Sequence, residues 1–316
     1  MNEQISDQQI NAAGHLTIGG CDAVDLAHRF GTPLVVYDVQ QIRNQIRAFK
    51  QVFEENSVDY AVSYASKAFS AIAMYQVVAA EGAHVDVVSG GELYTAIKAG
   101  FPMANVSFHG NNKSREELEM AIDHHVGTIM IDNFHEIELL ADVLEEHDAH
   151  VDVMLRITPG ISAHTNKYIQ TGQVDSKFGF DLQSGQADEA LTKVLENPRM
   201  QMKGLHAHIG SQIFELAGFE GVAKKLVEVA AHWQEKFNYQ AAVINVGYNL
   251  YTVGSRKDVP GLKPYVTVDG GMGDNIRPAL YEAQYETVLA NNPRAELVEH
   301  VRVAGKYCES GDILSQ

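Results

Sequence analysis

The sequence predicts an α/β chain whose main body is a (β/α)8 TIM barrel, accompanied by a second, mainly β domain. Three observations predict it. Seven short β-branched or apolar runs alternate with stretches of helical spacing. Several of these runs close on polar residues, as barrel strands do at the face where chemistry is carried. After Gly247 the sequence turns to Tyr-, Val- and Gly-rich segments such as Tyr248–Gly254 and Tyr265–Gly271, so an eighth strand and helix are absent from the pattern.

Taken in order, His15–Ile18 reads as a strand of the second domain and Ala23–Phe30 as a helix, with Leu34–Asp38 and the amphipathic Gln40–Phe53 leading into the barrel. The strand candidates are Tyr60–Lys67, His84–Ser89, Val106–Gly110, Thr128–Asn133, Val151–Thr158, Met202–Gly210 and Ala241–Gly247. Between them Ser70–Ala80, Gly91–Gly100, Arg115–His125, Phe134–Glu146, Gln186–Asn197 and Gly221–Lys236 carry helical periodicity. Such alternation implies a parallel sheet with right-handed crossovers, either open and doubly wound or closed into a barrel. Seven strands favour the barrel, one strand short. The expected domains are residues 31–247 for the barrel, incomplete at its C-terminal end, and residues 1–30 with 248–316 for the β-rich domain, also incomplete.

Composition narrows the function classes. The chain has 316 residues, 45% of them hydrophobic, enough for one large core and a smaller unit. Its 24 Lys and Arg face 41 Asp and Glu, a formal net charge of −17, so the average surface repels nucleic acid and anionic membranes. Met1–Ile10 lacks the basic start and apolar run of a signal peptide, and no apolar stretch reaches ~18 residues, so a cytoplasmic location is expected. Two cysteines, Cys21 and Cys308, are too few for a disulfide framework or a clustered-thiol zinc site.

The strand ends supply the candidate chemistry. Lys67 closes a mostly apolar strand, where a desolvated ammonium loses proton affinity and leaves a neutral amine able to form a Schiff base; a lysine snorkelling from a strand end is the plainer alternative. His206 and His208 are two apart and face the same side of a strand. They suit a metal pair, or one ring stacked on a planar cofactor while its neighbour packs or hydrogen-bonds, or simple satisfaction in the core. In the tail, Arg277 could fork onto a substrate carboxylate or form a surface ion pair. Cys308 reads equally as a small buried hydrophobe, and Glu309 as part of a solvated turn.

The order and wording of these segments resemble the fold-type III, alanine-racemase-like pyridoxal-phosphate decarboxylases nearly end to end. Tyr64-Ala65-Ser66-Lys67-Ala68 is similar to that family's cofactor-lysine motif, Asp86-Val87-Val88-Ser89-Gly90-Gly91-Glu92-Leu93 to its second strand, and His206-Ala207-His208-Ile209-Gly210-Ser211-Gln212 to its ring-stacking motif. The resemblance implies pyridoxal 5'-phosphate as cofactor, bound by Lys67, Asp86, His208, Ser211 and Gly247, with Lys67 covalent, His208 stacked on the ring and Ser211 near the phosphate. Thr171–Gly179 and Cys308-Glu309-Ser310-Gly311-Asp312 look like the members that convert meso-diaminopimelate to L-lysine with release of carbon dioxide; ornithine and arginine enzymes usually carry Asp after that Cys. Glu309 would then read the distal amino group, Arg277 and Tyr281 the distal carboxylate or the cofactor region, and Cys308, reaching across a homodimer with shared sites, would return the proton. Lys67, His208 and Cys308 are thus the expected catalytic residues. The partners implied are a small amino acid and a second copy of the chain, with no nucleic acid, membrane or metal. An ornithine or arginine decarboxylase, a non-catalytic homologue and a metal-dependent barrel hydrolase using His206 and His208 are the competing readings.

The family's glycine-rich phosphate loop after strand seven and its Glu-Pro-Gly-Arg motif after strand eight have no counterpart, because Val246-Gly247 passes straight to Tyr248-Asn249. The sequence is therefore expected to join stretches of a longer protein at that junction, with a further tail beyond Asp312.

Overall fold

A computed structural model describes residues 10–160, 178–208 and 216–247, together with three short strands further on. The chain divides into two units: Gln45–Tyr251, and a discontinuous unit of Met1–Asn44 with Thr252–Gln316.

In the discontinuous unit, β1 (Thr17–Ile18) and β2 (Cys21–Asp22) pair antiparallel and lead into α1 (Ala23–Phe30). Asp22 ends the hairpin because its carboxylate accepts from the N–H groups of Val24 and Asp25, capping α1. The same side chain accepts from Asn11 Nδ2 at 2.6 Å and pairs with His15 Nδ1 at 2.9 Å. Helix α2 (Val39–Glu55) runs from this unit into the larger one.

In the larger unit, β3 (Ser63–Ala65), β4 (His84–Val87), β5 (Val106–Phe108), β6 (Thr128–Ile131), β7 (Val151–Thr158), β9 (Met200–His208) and β10 (Val243–Gly247) form one parallel sheet. All seven strands lie where the apolar runs place them, and they stand side by side in chain order. A two-residue strand absent from that reading, β8 (Phe180–Asp181), pairs with the end of β7. The crossovers are α3 (Ile72–Ala80), α4 (Gly90–Ala99), α5 (Arg115–Asp123), α6 (Phe134–Glu146), α7 (Gln186–Glu196) and α8 (Leu216–Phe237). Side chains start three of them: Ser89, Ser114 and Asn133 accept from the backbone N–H three residues on, and Ser114 with Glu117 completes a reciprocal capping box.

The central strands β6, β7 and β9 are buried on both faces, as parallel strands under helices are, whereas β3 is half-buried and β10 exposes Val243 and Ile244. Val85, Val87, Phe108, Ile129, Ile131, Val153, Leu155, Leu205 and Ala207 are fully buried. Helix α8 lays Val222, Leu226, Val229 and Trp233 against the sheet at helical spacing. Trp233 Nε1 donates to Asp188 Oδ1 at 2.9 Å, which ties α8 to α7. Gly204 lets β9 and β10 pair: a Cβ there would lie 1.8 Å from the Val243 carbonyl oxygen.

The sheet is curled. β5 and β9 are separated by β6 and β7, about 14 Å apart if the sheet were flat. Yet the rings of His109, just past β5, and His206, on β9, meet edge to face with centroids 4.8 Å apart. Inward side chains converge like this only when the strands wrap around a common axis. The result is an α/β fold with a parallel, curled, half-barrel sheet, whose outer strands among the described residues are β3 and β10. Further along the chain, β11 (Tyr265–Thr267) pairs parallel with β12 (Arg302–Ala304), which pairs antiparallel with β13 (Ile313–Ser315).

Candidate functional site

The C-terminal ends of the strands carry the polar residues. Strand β3 stops at Ala65 and tightens into a single 3-10 turn, Ser66–Ala68, which places Lys67 at the rim. Ser66 is fully buried beneath it and donates to Glu92 Oε2 at 2.6 Å; the same oxygen accepts from the Val88 N–H at 2.8 Å. The turn is therefore anchored to the start of α4.

Lys67 keeps solvent-accessible surface, yet the surrounding protein desolvates its ammonium. Burial first, then the Arg156 charge, bring the amine below its ordinary value, with Asp86 and Glu92 opposing. Asp86 sits on β4, opposite Ala65 in register. Burial pushes its carboxyl up, but His109, Ser63 and His208 together hold it below the usual range, so it is ionised. Its Oδ1 accepts from Ser63 Oγ at 2.5 Å and lies 3.5 Å from His109 Nε2.

His208 ends β9 opposite Gly247 of β10, and its Nδ1 stands 3.2 Å from the Gly247 carbonyl oxygen. A donor is required to meet a carbonyl, so Nδ1 carries the proton. Burial and the neighbouring Lys67 and Arg156 charges push His208 down to about 3, so the ring is neutral at physiological pH. Gly247 is required there, since a Cβ would lie 2.4 Å from His208 Nδ1. His206, two residues earlier, is buried, pairs with Asn245 Oδ1 at 3.0 Å and is pushed well below its ordinary value by burial and by His109. His206 is thus packed and hydrogen-bonded, with the His208 ring beside it at the strand end.

Of the residues picked from the sequence, Lys67, Asp86, His208 and Gly247 come together at this rim. Ser211, Arg277, Tyr281, Cys308 and Glu309 lie outside the described residues. Arg156 and Asp132 went unremarked in the sequence. The Arg156 guanidinium, on β7, pairs with Asp132 Oδ2 at 3.2 Å and stacks 4.1 Å from the Phe178 ring centre. Asp132 Oδ1 accepts from the Gly179 N–H at 2.7 Å. The signal was an arginine set among the apolar Met154, Leu155 and Ile157, since a buried arginine needs a partner. Among the described residues no group of three or more His, Cys, Asp or Glu side chains is placed to hold a metal ion. A cavity lined by Asp123, His125, His147 and Gln201 opens at the opposite ends of the strands, away from these groups.

The set fits a planar aldehyde cofactor: an amine whose charged form is disfavoured, a neutral imidazole beside it, and a buried cation and carboxylate on the flanking strands. Comparison with known proteins agrees. Residues 39–262 match the model of the pyridoxal-dependent decarboxylase family, pyridoxal binding domain. The diaminopimelate decarboxylase of Bacillus methanolicus is 47% identical, with 97% of this chain and 83% of that protein covered. That of Bacillus subtilis is 46% identical over 96% of this chain and 82% of its own. The alignment with the B. methanolicus protein runs over 360 positions against 316 residues, leaving at least 44 positions of the relative with no residue here. Among solved structures, the M. jannaschii diaminopimelate decarboxylase in complex with L-lysine superposes with a TM-score of 0.84 at 28% identity, covering 100% of this chain and 84% of that one. The chain belongs to the pyridoxal-dependent decarboxylases and, among them, to the diaminopimelate decarboxylases.

Proposed function

We propose that this chain decarboxylates meso-diaminopimelate to L-lysine using pyridoxal 5'-phosphate held at Lys67. The observation that carries the reading is the Lys67 amine, with its charged form disfavoured, at a strand end beside a neutral His208. When bound, the cofactor supplies a ring that accepts the electron pair left behind as carbon dioxide departs.

The chain's own residues do the rest. Lys67 contributes the covalent attachment point, and its lowered proton affinity keeps a fraction of neutral amine available. His208, oriented through Nδ1 by the Gly247 carbonyl, offers a flat uncharged face for stacking. Asp86 and Gly247 complete the cofactor contacts within the described residues. The substrate loses one carboxylate and gains one proton at the same carbon, and the Cys308 thiol is the proposed source of that proton. Ser211 at the phosphate, Glu309 at the distal amino group, and Arg277 and Tyr281 at the distal carboxylate or the cofactor region are assigned by motif resemblance.

On the same footing, the half-barrel belongs to a full (β/α)8 barrel, and residues 1–30 with 248–316 contribute a second, mainly β domain. A homodimer with shared sites and a cytoplasmic location complete the reading. The deciding experiment is product analysis with meso-diaminopimelate, ornithine, arginine and lysine offered separately. L-Lysine and carbon dioxide from meso-diaminopimelate are expected; preference for ornithine would overturn the assignment.

A further inference from the structure

A chain of polar side chains crosses the curled sheet from one outer strand to the other. Ser63 on β3 donates to Asp86 on β4. His109 Nε2, just past β5, faces the same Asp86 oxygen at 3.5 Å. The His109 ring meets His206 on β9 at 4.8 Å, and His206 pairs with Asn245 on β10 at 3.0 Å. None of the roles proposed above uses His109. It is only 7% exposed, and its Nε2 is a buried nitrogen without a hydrogen-bond partner among the described residues. Buried polar atoms of that kind are uncommon and call for an explanation.

The groups facing this ring limit what it can do. Asp86 lies on one side and His206 on the other, and His208 is the third titratable group coupled to it. Two of these three are imidazoles, so among the described residues the attractive partner facing an Nε2–H is the Asp86 carboxylate at 3.5 Å. That carboxylate is also, with Glu92, one of the two groups whose charge favours the ammonium form of Lys67.

We propose that His109 is a positioning residue: its Nε2–H, directed at Asp86, draws that carboxylate away from Lys67 and so leaves the Lys67 amine freer to react. The Ser63 hydroxyl acts on the same oxygen from the other side. Without the imidazole donor, Asp86 satisfies itself on the Lys67 ammonium instead, and less neutral amine is present at a given pH. The proposal deepens the Lys67 assignment and rests on it, but its test needs no cofactor.

The cofactor-free, full-length chain is labelled with acetic anhydride across the amine titration range, and acetylation of Lys67 is read by peptide mass spectrometry against the surface residue Lys224. His109→Phe keeps a ring against His206 and removes the N–H; Lys67 labelling is expected to fall about threefold below the amine midpoint. His109→Gln returns an amide N–H toward Asp86 and is expected to restore it. Unchanged Lys67 labelling in a folded His109→Phe, or an equal fall in both variants, overturns the proposal. In the unmutated protein, nitrogen-15 resonances of the His109 ring must show the proton on Nε2; a bare Nε2 overturns it as well, whether or not the variants fold. A failure of Lys67 to take up pyridoxal phosphate would instead refute the cofactor assignment, leaving the labelling result to stand or fall separately.

Discussion

Lys113 and Glu136 form an ion pair inside the protein, with side chains 1% and 3% exposed and Nζ 2.6 Å from Oε1. The ammonium has three donors, and three acceptors meet it: Glu136, the Gly110 carbonyl at 2.9 Å and the Met130 carbonyl at 2.7 Å. Glu136 Oε2 in turn accepts from the Asp132 N–H at 3.1 Å. The pair thereby fixes the end of β6, where Asp132 holds Arg156. Lys113→Met removes the cation, strands the carboxylate and leaves two carbonyls without their donor. Breaking a buried pair from one side costs about 3–5 kcal/mol. Burial already pushes the Glu136 carboxyl up even with Lys113 present. In the variant it takes up a proton more readily, so the destabilisation should be largest at neutral pH and shrink as pH falls toward the carboxylate range. Adding Glu136→Leu should return part of the loss, because the uncompensated charge is then gone. Urea unfolding followed by the fluorescence of Trp233, the only tryptophan and fully buried, measures each difference. A loss below about 1 kcal/mol in Lys113→Met, or strict additivity in the double variant, would refute the reasoning.

Acid should destabilise the larger unit before its carboxylates titrate. His208 is pushed down to about 3 in the folded protein, so between its unfolded value near 6.5 and about 3 the unfolded chain binds the extra proton. His206 acts in the same direction. Unfolding free energy should therefore fall as pH drops through that window, and His208→Gln should flatten the decline; a stability that rises on acidification through this range would contradict the burial argument. Gly247→Ala places a methyl group where His208 Nδ1 stands, so the ring must turn and lose its carbonyl partner. Pyridoxal phosphate affinity, measured by absorbance titration, should weaken about tenfold, equivalent to ~1.4 kcal/mol; unchanged affinity would mean that the ring orientation does not matter for binding.

The framework was legible because its signals are local. Val151–Thr158 and Phe134–Glu146 begin and end where their patterns do, the first an apolar run with β-branched residues, the second a helix bounded by an Asn cap. Lys67 stood out because a cation closes an apolar run. Its location on a 3-10 turn did not, since Ser63–Ala65 is too short for a strand signal to show where pairing stops. What escaped depends on contacts between distant segments. Arg156 lies within Val151–Thr158, and only the approach of Asp132 and Phe178 explains how a guanidinium is accommodated there. His109 read as part of the polar end of the Val106–Gly110 strand; its contact with His206 exists because the sheet curls. β8, two residues long, is below what periodicity can register.

The central claim is that Lys67 is the amine that takes up pyridoxal phosphate. Incubating the full-length protein with the cofactor, reducing with borohydride and mapping the peptides by mass spectrometry tests it most directly. The account predicts a pyridoxyl group on Lys67 alone, lost in Lys67→Ala; label on Lys113 or another lysine instead, or no label at all on folded protein, would contradict it.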